Sequence, residues 1–177
     1  MGLIKDIRAV KTRDPAARHA LEIILLYSGM HAVWGYRLSH LLWKIHLKFF
    51  ARLLSTVVRF LTGVEIHPGA RIGKAFVIDH GMGVVIGETA IVGDDVLLYH
   101  GVTLGGRVTK KGATRRHPKL GNNVVVGAGA LILGAVEVGD DAKIGAGAVV
   151  VNNIKKGEVY AGVAAKMVPQ GQIEYYL

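Results

Sequence analysis

The chain has no cysteine among its 177 residues. A disulfide framework, a thiolate metal site and a cysteine nucleophile are excluded at once. No apolar run approaches the length that a bilayer span requires. Met1–Arg13 alternates charge with apolar side chains and lacks the apolar core of a signal peptide. A soluble cytoplasmic protein is therefore expected. Acidic residues are few: 13 Asp and Glu stand against 22 Lys and Arg, and the balance of +9 favours an anionic partner. Nucleic acid, a membrane surface or a phosphorylated cofactor each satisfy that charge. Aromatic residues, 7% of the chain, do not interleave with the basic ones, so nucleic acid has charge alone behind it. Glycine is abundant at 24 residues but lacks the every-third-residue spacing of collagen.

With 51% apolar residues, the chain folds around a core and is long enough for a small cap plus a repeat domain. The first third reads as helices. Asp14-Pro15 has the form of a helix start, Asp at the N-cap and Pro at the first helical position. Leu21, Ile24, Leu25 and Ser28 continue at helical spacing, with Gly29 as the stop. A second amphipathic segment carries Trp34, Leu38, Leu41, Leu42 and Ile45, and a third runs from Phe50 to Leu61. Lys44, Lys48, Arg52 and Arg59 lie on these last two segments. Basic amphipathic helices bind membranes in some proteins, but packing helices with a solvated basic face are the commoner case. Gly63 ends this region.

Beyond Gly63 the spacing changes to six. Ile66, Ile72, Ile78 and Val84 keep the beat. After a slip of two it resumes with Ile86, Val92, Leu98 and Leu104. Leu120, Val126, Ile132, Val138, Ile144 and Val150 form an unbroken third series. A hexapeptide period predicts a parallel β-helix, each unit one flat side of a triangular coil. Residues eighteen apart then stack at roughly 4.8 Å, the spacing of paired strands. Glycine and small residues take the corners, where the backbone needs unusual dihedrals. The chain divides into a helical region (1–62), a β-helix (63–168) with a loop excursion at 105–119, and a tail (169–177).

Both interruptions of the beat contain polar chemistry, and sites concentrate in such places. His80 lies in the first, beside Asp79. Glu65 precedes it by fifteen residues, a little under one coil, which brings a second carboxylate toward the imidazole. A carboxylate on one ring nitrogen sets the tautomer and leaves the other nitrogen as a base near neutral pH. The second interruption ends in Arg116-His117-Pro118, and Arg116 has the geometry to bind a carboxylate. Gly127-Ala128-Gly129-Ala130 and Gly145-Ala146-Gly147-Ala148 read either as tight corners or as a groove where a flat cofactor lies against backbone.

Taken together, these pieces resemble the serine O-acetyltransferases of the hexapeptide acyltransferase group. The matching stretches are Thr12–Pro15 (Thr-Arg-Asp-Pro), Glu65–Gly69, Asp79–Thr89, Val102–Gly106, Arg116–Lys119 and Ile144–Gly147. What the resemblance implies is a left-handed β-helix with a small helical cap, and direct transfer of acetyl from acetyl-CoA to the L-serine hydroxyl. His80 would be the base and Glu65 its orienting carboxylate. Asp14 and Asp79 would bind the serine ammonium, Arg116 and His117 its carboxylate. Gly106, Ala128 and Ala146 would line the CoA groove, with Lys143 and Lys166 toward its phosphates. No metal is implied. The site would lie between copies of a homotrimer, and the short helical region argues against the larger hexamer of longer relatives. L-cysteine would act as feedback inhibitor through the same polar groups. O-acetylserine sulfhydrylase is a further partner of the family; relatives that dock with it end in isoleucine, where this chain ends in Leu177.

Three rival readings stand beside it. A related acetyltransferase acting on a sugar, an antibiotic or an amino sugar has no amino-acid head group to recognise, whereas homoserine as acceptor keeps that head group and differs from serine by one methylene. A β-helix carbonic anhydrase needs three zinc-binding histidines, for which His80, His100 and His117 are available. A non-catalytic scaffold has no use for His80.

Overall fold

The computed structural model describes residues 3–107 and 115–162. Its chain begins with four helices: α1 (Leu3–Arg13), α2 (Ala20–Leu26), α3 (Ser28–Lys44) and α4 (Lys48–Thr62). Short parallel strands follow, β1 (Glu65–Ile66), β2 (Arg71–Ile72) and β3 (Val77–Ile78) forming the first coil. Every third strand then falls in the same sheet. The first sheet continues with β4 (Val85–Ile86), β7 (Thr103–Gly105), β10 (Leu131–Leu133) and β13 (Val149–Val150). The second takes β5 (Ile91–Val92), β8 (Lys119–Leu120) and β11 (Glu137–Val138). The third takes β6 (Leu97–Leu98), β9 (Val125–Val126), β12 (Lys143–Ile144) and β14 (Val159–Tyr160). The architecture is a left-handed parallel β-helix with a helical cap.

The apolar series becomes three buried columns. In the first sheet Ile66 pairs with Ile86, Ile86 with Leu104, Leu104 with Ile132 and Ile132 with Val150. The steps of 18 are regular coils. The step of 20 from Ile66 to Ile86 absorbs the two-residue slip at His80, and the step of 28 from Leu104 to Ile132 absorbs the excursion. Near the end the coil shortens: Ile144 pairs with Tyr160, a step of 16. Each fully buried aliphatic residue of the columns contributes roughly 1.5–3 kcal/mol of burial.

Corners use two devices. Where the third sheet turns into the first, Gly81, Gly101, Gly129 and Gly147 have φ between 65° and 83°. Where the second turns into the third, the left-handed positions are Ala75, Asp95, Asn123 and Asp141. There a ladder of side chains ties coil to coil: Asp94 Oδ1 accepts the Lys74 N–H and Asp140 Oδ1 accepts the Asn122 N–H, both at 2.7 Å. Asn and Asp tolerate this conformation better than most residues, so small residues alone do not account for these corners.

Helices close the open end and one flank. Ala32, Val33 and Tyr36 of α3 join the core beside Val64 and Ile66. Val10, Ile23 and Met30 cover Val77 and Leu97 on the third sheet. α4 ends at Gly63, whose φ of 70° places it at the left-handed stop expected from the sequence. The other helix boundaries differ from expectation. Asp14-Pro15 does not open a helix; Asp14 closes α1, its N–H bonded to the Val10 carbonyl at 2.8 Å. Its Oδ1 accepts the Ala16 N–H at 2.7 Å, a side-chain turn instead of an N-cap. Gly29 does not stop a helix either. It lies within α3, where a Cβ would stand 2.1 Å from the Ile78 carbonyl oxygen. Helix and β-helix meet there without room for a side chain, and the break between α2 and α3 falls at extended Tyr27.

Candidate active site

Asp14 and the distant pair Asp79-His80 line one cavity of 390 Å³ together with Tyr27, Ser28 and Gly29. Its base is the corner between the third and first sheets. His80 holds a left-handed backbone (φ 61°), a conformation that costs a non-glycine residue about 1–2 kcal/mol. The strain is supported locally: Gly81 N–H donates to the Asp79 carbonyl at 2.7 Å, and Ser28 Oγ–H donates to the His80 carbonyl at 3.1 Å. The ring itself remains 72% exposed, with Nε2 at 3.9 Å from Asp79 Oδ1. His100, one coil on, stands edge-to-face against it, the centroids 5.6 Å apart.

Asp14 enters the cavity from the α1–α2 connection. Tyr27 donates its hydroxyl to Asp14 Oδ2 at 2.8 Å. Partial burial, this hydrogen bond and the neighbouring carboxylates push the Tyr27 pKa up to about 12, so the phenol stays a donor. Nothing in the sequence pattern singled out Tyr27; its only signal is an aromatic residue at the junction of two helices.

Glu65 is placed differently from expectation. Its Oε2 lies 2.9 Å from Arg59 Nη1, at the last turn of α4. Among the described residues no hydrogen bond joins it to His80; the carboxylate within 4 Å of that ring is Asp79. The long glutamate side chain reaches back to the helix it follows rather than across the coil.

Arg116 and His117 sit at another corner, between the first and second sheets. His117 is buried, and its Nδ1 accepts the Thr89 N–H at 3.2 Å with Thr89 Oγ1 at 2.8 Å. Thr89 Oγ1 in turn accepts the backbone N–H groups of Arg116 and His117. With Nδ1 an acceptor, the neutral ring carries its proton on Nε2. That nitrogen points between two glycines: a Cβ would come within 2.0 Å of it at Gly87 and 3.4 Å at Gly106. Burial first, then the Arg116 charge, lowers the His117 pKa and keeps the imidazole neutral. Arg116 Nη2 is 3.8 Å from Glu88 Oε2 and stays exposed. His67 at the same corner accepts the Gly69 N–H and packs edge-on to Trp43, its pKa lowered chiefly by burial. Sequence reasoning does not mark Thr89 or His67 as contributors, although both belong to the Glu-Ile-His-Pro-Gly and Gly-Glu-Thr stretches.

The chain thus carries two separate polar clusters, around His80 and around His117, on the two edges of the first sheet. Ala128 and Ala146 lie on the His80 edge, stacked through the Gly147 N–H to Ala128 carbonyl bond of 2.8 Å. Beside them, added Cβ atoms at Gly129 and Gly147 would meet nothing within 4 Å, so this edge is an open shelf of backbone. Gly106 belongs to the His117 edge, and Lys143 is exposed on β12. Lys166, the tail and Leu177 lie outside the described residues. His80 and His100 meet, while His117 stands at a different corner, and among the described residues no three metal-ligating side chains converge.

Residues 2–34 match the family model described as serine acetyltransferase, N-terminal, and residues 117–152 match the bacterial transferase hexapeptide (six repeats). A serine acetyltransferase of Helicobacter pylori is 55% identical over 168 residues, covering 95% of this chain and 97% of its own length. Isoform 3 of the serine acetyltransferase from Entamoeba histolytica, solved in complex with cysteine, superposes with a TM-score of 0.88 at 37% identity. That match covers 98% of this chain and 62% of the other. The soybean serine acetyltransferase complexed with serine gives a TM-score of 0.86 at 42% identity, over 94% of this chain and 68% of that one.

Proposed function

The chain belongs to the serine acetyltransferase family, and on that premise we propose that it transfers acetyl from acetyl-CoA to the hydroxyl of L-serine. The observation that carries this reading is the shared cavity of Asp14, Asp79 and His80. Two carboxylates beside an exposed imidazole suit a substrate with an ammonium and a hydroxyl on neighbouring carbons. Asp14 and Asp79 bind the ammonium, with Tyr27 holding the Asp14 carboxylate in place. His80 accepts the hydroxyl proton as the serine oxygen attacks the thioester carbonyl. The new C–O bond forms, the C–S bond breaks, and the proton passes to the departing CoA sulfur. In this scheme Asp79 is the carboxylate at the imidazole, and Glu65, held by Arg59, supports the strand next to it.

Arg116 and the Nε2–H of His117 recognise the serine carboxylate, but from a neighbouring copy, since one protomer holds these groups at a different edge from His80. A homotrimer packed through the first sheet accounts for that. The outward face of this sheet presents Val85, Leu131 and Val149, and α4 extends it with exposed Phe49, Phe50, Leu53, Val57 and Phe60. An apolar surface this large on an isolated chain marks an interface. Acetyl-CoA lies along the Ala128–Ala146 shelf, with Lys143 toward its phosphates and, at its thioester end, the Gly106 that a neighbouring copy contributes from its His117 edge. L-cysteine, which has the same head group as serine, competes for the same site.

The test is release of CoA thiol from acetyl-CoA with L-serine, homoserine, a galactoside or chloramphenicol as acceptor. Serine-dependent release that drops about 10²–10⁴-fold in His80→Ala supports acceptor and base together. Release without serine dependence, or indifferent to His80→Ala, overturns the reading.

A further inference from the structure

A further cavity lies away from the His80 and His117 clusters. It measures 660 Å³ and sits at the third corner, where the second sheet turns into the third, roofed by α1 and α3. Its inner wall is apolar: Tyr36, Leu41 and Ile72. Its rim carries Lys5, Lys44 and Lys74. Among the described residues none of these ammonium groups has a carboxylate within 4 Å. Of the two acids on the lining, Asp6 is matched by Arg37, and Asp94 still leaves the three lysines in excess. Asp6 is buried in a bidentate pair with Arg37, and Asp94 accepts the Lys74 backbone N–H at 2.7 Å. A second cavity of 540 Å³ continues along α1, shares Lys5, Lys74 and Asp94, and adds Arg8.

Unpaired lysines repel one another, and three around one concave apolar wall make a place where a compact anion is stabilised. A lysine ammonium acts as a point charge, suited to a phosphate whose negative charge is spread over several oxygens. The wall beneath is large enough for a ring or a short alkyl body. In a triangular coil this corner lies opposite the first sheet, so association through that sheet leaves it open. We propose that this cavity binds a small organic phosphate, its apolar body against Tyr36, Leu41 and Ile72 and its phosphate among Lys5, Lys44 and Lys74.

The experiment is a calorimetric titration of the full chain with phenyl phosphate, run without CoA and repeated on the Lys143→Glu variant, so that binding in the acetyl-CoA groove is told apart from binding in this cavity. Inorganic phosphate and benzyl alcohol serve as the charge-only and ring-only probes. Saturable binding of one phenyl phosphate per chain is expected, at least tenfold tighter than either fragment and weaker at about 0.5 M than at about 0.05 M salt. Lys44→Glu and Lys74→Glu, both exposed substitutions, should each weaken it tenfold or more. Their thiol-release activity with serine, measured without phenyl phosphate, should match the wild type, which shows that the fold is intact. Absence of saturation below about 10 mM, affinity unchanged by either charge reversal, or equal binding of benzyl alcohol would overturn the proposal.

Discussion

At the scale of single residues, two histidines of the His117 corner, buried His117 and half-buried His67, give the molecule a pH dependence. Burial lowers the pKa of both His67 and His117. The unfolded chain therefore takes up protons near the ordinary histidine value of about 6.5 while the folded chain does not. By linkage, stability is full above that value and falls as the pH drops below it. Urea denaturation should show a lower midpoint at pH 5 than at pH 7.5, and the His67→Asn, His117→Asn double variant should flatten the difference. An unchanged slope would show that these rings do not carry it. At the His80 cluster, Tyr27→Phe removes the donor to Asp14 without removing the ring. Losing one hydrogen bond to a carboxylate is worth about 1–2 kcal/mol. The serine KM should rise roughly five- to thirtyfold while the acetyl-CoA KM stays constant; a change in both would point to a general loss of structure.

Elements explain why some of this was legible in the sequence and some was not. The hexapeptide beat is local and repeated, so the coils, the inward columns and the slip at His80 could be read directly. Asp79 and His80 were readable because they are contiguous and break the beat. The pairs that complete each cluster were not: Tyr27 reaches Asp14 across the whole of α2, and Thr89 reaches His117 across an excursion of the chain. Spacing along the coil points Glu65 toward His80, because spacing says nothing of the helix end behind it, where Arg59 stands. Gly29 illustrates the same limit. A glycine after a helical run reads as a stop, but here it is the residue that lets α3 touch Ile78, in the wall of the His80 cavity. Gly29→Ala forces helix and β-helix apart and should cost about 2–3 kcal/mol or more, lowering the melting temperature by about 5–10 °C. Gly147→Ala, at φ 65° with open space around it, should cost only the backbone term of about 1–2 kcal/mol. Thermal unfolding of the two variants side by side measures the difference; equal losses would mean that α3 yields without cost.

On the scale of the whole molecule, the proposed sharing of one site between two copies would make activity depend on assembly. If His80 of one copy works with Arg116 of the next, each site draws on two chains. His80→Ala and Arg116→Ala trimers would then both be nearly inactive on their own. In trimers reassembled from an equal mixture, a site is intact when its His80 comes from an Arg116→Ala chain and its Arg116 from a His80→Ala chain. Random assembly gives about one site in four. Activity should therefore recover to roughly a quarter of wild type after co-refolding, but not after simple mixing of preformed trimers. A charge on the outward face of the first sheet, as in Val149→Glu, should abolish the recovery along with the trimer, read as the mass by light scattering. Recovery that never exceeds the two parents would overturn the pairing of His80 with Arg116 of another copy, and the 390 Å³ cavity would then have to find its carboxylate-binding group among its own walls.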